Sequence, residues 1–547
     1  MWTQNYDPFH NPIVSTLVAI IPSAVLLGGI AFFKMKAHLA ALLGIVTSLA
    51  IAIFAFHMPA SMASIAAGYG AAYGLMPIGW IILNVMFLYR LTHECGQFRI
   101  LQESIAGITP DRRLQLLLIA FAFGSFFEGC AGFGTPVAVT GAMLIGLGFS
   151  PLAASGLSLI ANTAPVAFGS LGTPLIALAN VTGLDLFELG AMVGRQLPFF
   201  SLIVPFWLVI AFAGWRGMLE VWPAVAVTGL AFAIPQYLVS NFHGPWLVDI
   251  IASTCSLGAL TLFLRFWQPR TVWRSTRRGE REIDASPIVA HTYTREQVIR
   301  AWMPWIILSA LVFVFGIPQV RALLDSLFAP HLPVVGLHEL VQKAPPVVRA
   351  VVKEGAIYNF NILSATGSAI FLSAIISGLL MKYSLRELLR QYFATIVLVR
   401  YSLLTVAAML ALGYVTRYSG ADATLGLAFA QTGWLYPLFG TMLGWLGVAL
   451  TGSDTASNVL FGGLQRVTAE QLGLNPILMA AANSSGGVMG KMIDAQSIVV
   501  ASTATRWYGH ESEILRYVFF HSIALALLAG LLVLGQAYLW PLRLLVH

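Results

Sequence analysis

Two carboxylates in this 547-residue chain stand inside long apolar runs. Glu128 lies in F-E-G-C-A-G-F-G-T-P (Phe127–Pro136), and Asp454 lies in T-G-S-D-T-A-S-N (Thr451–Asn458). A charge at the centre of a bilayer costs about 2.5–3.5 kcal/mol on insertion scales, so such residues are functional by default. Three glycines and a proline in ten residues also break the helix around Glu128. Broken backbone at membrane depth persists only where it is buried in protein or lines a wet cavity. Two more stretches have this character: Asn162–Pro174 (N-T-A-P-V-A-F-G-S-L-G-T-P) and Asn483–Met492 (N-S-S-G-G-V-M-G-K-M).

Each break exposes unpaired backbone N–H groups that suit a carboxylate. At the first tip, Gly132 and Gly134 would present them. Asn162, Thr163, Asn483 and Ser484 add side-chain donors, as do Ser453, Thr455 and Asn458 at the second tip. Together they favour a small anion bearing hydroxyls; the alternative is that they only satisfy freed backbone groups. Glu128 and Asp454 are the candidate proton carriers, since loss of water favours the neutral acid. Either could instead cap a helix. Lys491 is the best cation for a substrate carboxylate, or it pairs with Asp494 three residues on. Arg195 either lines the entrance or pairs with Asp185 or Glu188.

The chain that must position these groups is 58% hydrophobic and 10% charged, against about one quarter charged in soluble domains. Apolar runs of about twenty residues recur throughout, which makes it an all-α polytopic membrane protein. The formal charge of +7 gathers in loops between spans, as the positive-inside rule requires, so nucleic acid is not the implied partner. The three cysteines, Cys95, Cys130 and Cys255, have no metal spacing. G-G-V-M-G-K-M lacks the first glycine and the Ser or Thr of a phosphate loop, so no cofactor is expected.

Lys34 and Lys36 place the end of the first span inside and the N-terminus outside. Leu114–Phe126 reads as a helix of about 20 Å, too short to cross, so residues 114–149 read as a re-entrant hairpin. That choice also keeps the basic segment Arg265–Arg281 inside. A broken helix follows at 152–182. The first half is residues 1–267, a basic cytoplasmic linker is 268–300, and the second half is 301–547. The second half repeats the order, with a hairpin near 434–471 and a broken helix at 477–501. Gln97–Gly107 reads as a short interfacial helix, and Gln319–Asn361 as a long outside segment. The sum is about twelve spans and two hairpins, with both termini outside.

Asp454 follows Glu128 by 326 positions, and Asn483 follows Asn162 by 321. Matching order with opposite entry sides is the inverted repeat frequent in secondary transporters. A sodium-coupled organic anion carrier is the first alternative. A membrane-embedded lipid-linked transferase is a remote one, for which no paired acids or metal motif appear, so no enzyme is expected.

At these residues the chain resembles the bacterial L-lactate permease family. The shared motifs are W-x-Q-N-Y-D-P (Trp2–Pro8), I-T-P-D-x-R-L-Q (Ile108–Gln115), E-G-x-A-G-F-G-x-P-V-A (Glu128–Ala138), N-T-A-P-V-A-F-G (Asn162–Gly169), V-G-R-Q-L-P-F (Val193–Phe199), L-T-G-S-D-T-x-S-N (Leu450–Asn458) and G-K-M-I (Gly490–Ile493). The resemblance implies proton-coupled symport of L-lactate, D-lactate or glycolate across the bacterial plasma membrane. The wider ion-transporter superfamily, to which that family is similar, implies a homodimer working as an elevator. Asp494-Ala495 stand where the family pattern leads one to expect Ser-Pro, and Cys130 and Thr135 where it leads one to expect alanine.

Overall fold

The computed structural model describes every residue except 32, 34, 131–134, 274–292, 349, 508, 509 and 547. Most of the expected basic linker, with Gly132 and Gly134, therefore lies outside the described residues.

The first helices are α1 (Pro12–Ala19), α2 (Ile21–Ala31), α3 (Ala37–Ala50) and α4 (Ala60–Tyr73). The Asn11 side chain accepts from the Ile13 and Val14 N–H groups and Pro12 takes the first helical position, so the start of α1 is fixed locally. A π-helical kink at Met76–Pro77 joins α4 to α5 (Trp80–Glu94). The expected interfacial helix is α6 (Gln97–Ala106). Next, α7 (Arg112–Leu116), a π segment (Leu117–Phe123) and α8 (Gly124–Cys130) run on as one helix, and α9 (Thr135–Gly146) packs back against it. Then come α10 (Pro151–Ala161) and α11 (Gly169–Thr182), bent by 63° across their junction. The half closes with α12 (Leu186–Val193), α13 (Leu197–Leu219), α14 (Trp222–Phe242) and α15 (Val248–Phe266).

The second half opens with α16 (Arg295–Gly316) and α17 (Pro318–Leu327). It continues through α18 (Thr366–Leu380), α19 (Leu385–Ser419) and α20 (Ala421–Phe429). Next α21 (Tyr436–Thr451) and α22 (Asp454–Leu472) pack on each other, followed by α23 (Pro476–Gly490), α24 (Ala495–Ala504) and α25 (Glu511–Tyr538). The order helix, tip, helix, capped Pro, helix, break, helix recurs. Ser150-Pro151 opens α10 and Asn475-Pro476 opens α23, each by a side-chain cap and a proline in the first turn.

The structure differs from the sequence reading in four places. Among the described residues nine helices are long and apolar enough to cross, or ten if the bent pair counts as one, rather than twelve. Helices such as α18 are shorter. The helix before the first tip is 19 residues (Arg112–Cys130), about 28 Å at the usual rise, because it starts at the Asp111 cap and widens through a π segment. Length alone therefore no longer makes it re-entrant. The second break does not begin at Asn483: α23 stays helical through Gly490 and breaks at Lys491–Asp494. Its glycines are contact residues. A Cβ on Gly486 would lie 2.1 Å from Thr441 O, and one on Gly490 2.3 Å from Trp445 O, so α21 and α23 approach almost backbone to backbone. Finally, the segment after α17 contains strands. β2 (His331–Pro333) pairs antiparallel with β5 (Ile357–Asn359), and β3 (Val341–Lys343) pairs with β4 (Val352–Lys353). β1 (Trp2–Thr3) joins β3 in parallel, which ties the N-terminus to that segment.

Two packed groups result. In one, α19 lies on α3, α4 and α5, and α18 on α5 and α16. In the other, α21, α22, α23 and α25 pack together, α22 packs on α11, and α8 packs on α9 and α15. Arg417 of α19 donates to the Asn180 and Val181 carbonyls at 3.0 and 3.2 Å, and Arg466 of α22 donates to that of Thr182. These arginines satisfy the end of α11, whose last carbonyls have no helical partner.

Arg113, just inside the start of α7, is fully buried. It pairs with Asp111 and Glu220 at 2.8 Å each, and donates to the Gly217 and Thr271 carbonyls at 2.9 Å. Its hydrogen bond, then that of Thr271, holds the Glu220 carboxyl below its usual range. Arg113→Ala leaves buried Asp111 without its cation and is expected to destabilise the fold by about 3 kcal/mol, measured by thermal unfolding in detergent. Glu220 stabilises fully above its unfolded pKa of 4.5, and that contribution fades as pH falls through the lower folded value. The wild-type advantage over Glu220→Gln should shrink in that acid window.

Candidate functional site

The first acid is delivered by the last turn of α8. Glu128 is 5% exposed, and its Oε2 has no hydrogen-bond partner. Gly169, opening α11, allows its approach, because a Cβ there would lie 2.6 Å from Glu128 Oε1. Asn162 ends α10 beside Glu128. Within the first turn of α11, Ser170 and Leu171 have φ of 45° and 58°. Left-handed backbone at two such residues costs about 1–2 kcal/mol each, a strain expected at functional sites. Thr163 donates to the Ile160 carbonyl at 2.8 Å and so serves the break itself.

The second acid opens α22. Ser453 caps that helix, accepting from the Ala456 N–H at 3.2 Å. Asp454 Oδ2 accepts from Ser484 Oγ at 2.5 Å and from Asn458 Nδ2 at 3.4 Å, while Oδ1 has no partner. Gly487 makes room for that oxygen: a Cβ there would lie 2.3 Å from Oδ1. Asn458 also donates to the Pro174 carbonyl at 3.2 Å, binding α22 to the broken helix of the first half. Asn483 is spent inside the protein, donating to Asn458 Oδ1 at 2.9 Å and accepting from Gln465 at 3.1 Å.

The cation stands at the end of α23. Lys491 Nζ donates to the Gly452 carbonyl at 2.6 Å and lies 3.6 Å from Asp494 Oδ2. Asp494 caps α24 through the Ser497 N–H at 2.7 Å. Lys491 thus pairs with Asp494 and also lines a cavity.

Glu128, Asp454 and Lys491 face one cavity of about 150 Å³. Gly169, Ser170 and Thr173 from the first break and Thr451–Thr455 from the second tip share its wall. The opposite wall is Ile82 of α5 with Ser402, Thr405, Val406, Met409 and Leu410 of α19. The site therefore lies between the two packed groups. Among the described residues no group of three His, Cys, Asp or Glu could hold a metal ion. Arg195 lies elsewhere, bonded to Asn241 at 2.8 Å and to the Leu545 carbonyl at 3.1 Å rather than to Asp185 or Glu188.

Sequence reasoning singled out the break that contains Thr173 without naming that residue, and it missed the α19 wall, which carries no motif. It also missed Asp249 in the first turn of α15. That acid is 1% exposed, with neither carboxylate oxygen hydrogen-bonded. An acid in a first helical turn is ordinary, so its position alone gives no signal.

The family profile for L-lactate permease matches residues 15–540. Over 98% of both chains, this chain is 46% identical to Escherichia coli K12 "Glycolate permease GlcA" and 45% to the L-lactate permease of the same organism. The Bacillus subtilis L-lactate permease is 43% identical over 98% of this chain and 99% of its own. A solved structure of Neisseria gonorrhoeae MtrF, described as illuminating a class of antimetabolite efflux pumps, covers 87% of this chain and 82% of its own. Its TM-score is 0.45 at 12% identity, so nothing rests on that likeness. The sequence relatives are named permeases, in keeping with a transport protein and not an enzyme. From end to end, this multi-pass membrane protein belongs to the L-lactate permease family.

Proposed function

We propose that this protein is a secondary transporter of the plasma membrane that carries L-lactate and related 2-hydroxymonocarboxylates, D-lactate and glycolate among them, together with a proton. The observation that carries this reading is the single cavity shared by Glu128, Asp454 and Lys491. Its volume suits the substrate: a cavity of roughly 150 Å³ holds benzene, and lactate has the same number of non-hydrogen atoms.

Charge supplies the coupling. With Glu128, Asp454 and Asp494 ionised and Lys491 protonated, the site carries a formal −2. Burying unpaired charge costs several kcal/mol per ion, so an anion enters only when a cation has come first. A proton on Glu128 or Asp454 serves that need within the residues present. Lys491 then holds the substrate carboxylate, and Ser453, Thr455 and the first N–H groups of α22 take its oxygens.

The relatives named for lactate and glycolate support the substrate class. The repeated element order supports an inverted repeat with two re-entrant hairpins. The two unlike walls of the cavity support an elevator, in which the group bearing the acids slides past α5 and α19. A homodimer and extracytoplasmic termini complete this reading.

In proteoliposomes, wild type should accumulate L-lactate on an imposed pH gradient and not on a sodium gradient at fixed pH. Glu128→Gln should cut that accumulation at least tenfold; undiminished uphill uptake would remove Glu128 from coupling. Lys491→Ala should weaken L-lactate affinity at least tenfold, about 1.4 kcal/mol, as read by concentration-dependent exchange. Unchanged affinity would place the carboxylate elsewhere.

A further inference from the structure

Asp249 is a buried acid that the cavity does not use. It sits in the first turn of α15, yet no side chain caps that helix, and neither Asp249 oxygen bonds a backbone N–H. It is 1% exposed and does not line the cavity. A buried acid with no donor on either oxygen is costly, and a native one calls for an explanation.

Its position relative to Glu128 supplies one. The residue after Glu128 is Gly129, and a Cβ there would lie 2.7 Å from the Cβ of Asp249 and 3.2 Å from the Ile250 nitrogen. The glycine thus lets α15 close onto α8 beside the coupling acid. Glu128 is within electrostatic reach of Asp249, and Glu128 Oε2 is likewise without a partner. Other ionisable neighbours are few. On α8, the Cys130 thiol also feels Asp249. The segments Leu117–Phe123 and α11 contain no ionisable residue, and α14 contributes only Tyr237, 39% exposed and turned to another pocket with Arg195.

We propose that Asp249 is a second proton-binding residue of the coupling path, receiving a proton from Glu128 on the side away from the substrate cavity. This rests on the proton-symport reading above. Transfer through one bridging water breaks the O–H bond at Glu128 and forms one at Asp249, and the return step reverses it. During the transfer the pair holds one proton and a formal −1, because two neighbouring carboxylates resist ionising together; the proton is loaded onto the pair from one side of the membrane and released from it to the other.

The test measures L-lactate-driven proton movement, with a pH dye inside proteoliposomes, alongside L-lactate exchange at equal pH. If wild type moves no protons with L-lactate, the symport reading itself fails. Given wild-type proton movement, Asp249→Asn should lower the coupled proton flux and net uptake at least tenfold while exchange continues. Coupled flux equal to wild type overturns the proposal. If Asp249→Asn loses exchange as well, Asp249→Glu decides: recovery of proton-coupled uptake supports a carboxylate role, and no recovery means that Asp249 serves packing, which also overturns it.

Discussion

Everything in this fold answers to the cost of keeping ionised groups out of water. Glu128, Asp454 and Lys491 line one cavity of a largely apolar chain, with Asp494 beside the lysine, and their formal charges do not cancel. Broken helices make such a place tolerable. The first turn of α22 and the strained start of α11 lie in the cavity wall, while glycines at 169 and 487 make room for the two acids and those at 486 and 490 let α23 close on α21. A continuous bundle of leucine-faced helices would offer neither donors nor room.

The hydrogen-bond network sorts the polar residues of the breaks into two kinds. Asn458, Asn483 and Gln465 bond to one another and to backbone, and they hold α22, α23 and the Pro174 carbonyl in one unit. Buried polar networks of this kind rigidify when fully satisfied. Glu128 Oε2 and Asp454 Oδ1 keep capacity in hand. Native proteins pair most of their buried polar atoms, so this reserve at the cavity supports the proposed site.

Much of this was legible in the chain itself. Acids in apolar runs pointed to Glu128 and Asp454, which line one cavity, and the spacing of Lys491 and Asp494 offered their pairing as one of two alternatives. Other features were hidden for physical reasons. N-S-S-G-G reads as a break, yet the glycines serve close contact with α21, and the helix continues because packing outweighs intrinsic propensity. Phe126 seemed to end a short helix, but a π segment carries that helix on to Cys130. The strands after α17 are two or three residues long, below what alternation can reveal. Asp249 is visible only once α15 is laid on Gly129.

A structure of the protein determined with L-lactate present is the most direct measurement of where substrate and coupling groups meet. The proposed site predicts the carboxylate against Lys491 and the first turn of α22, with Glu128 and Asp454 both in the same wall. Lactate seated elsewhere, with Lys491 still bound only to Gly452 and Asp494, would contradict it.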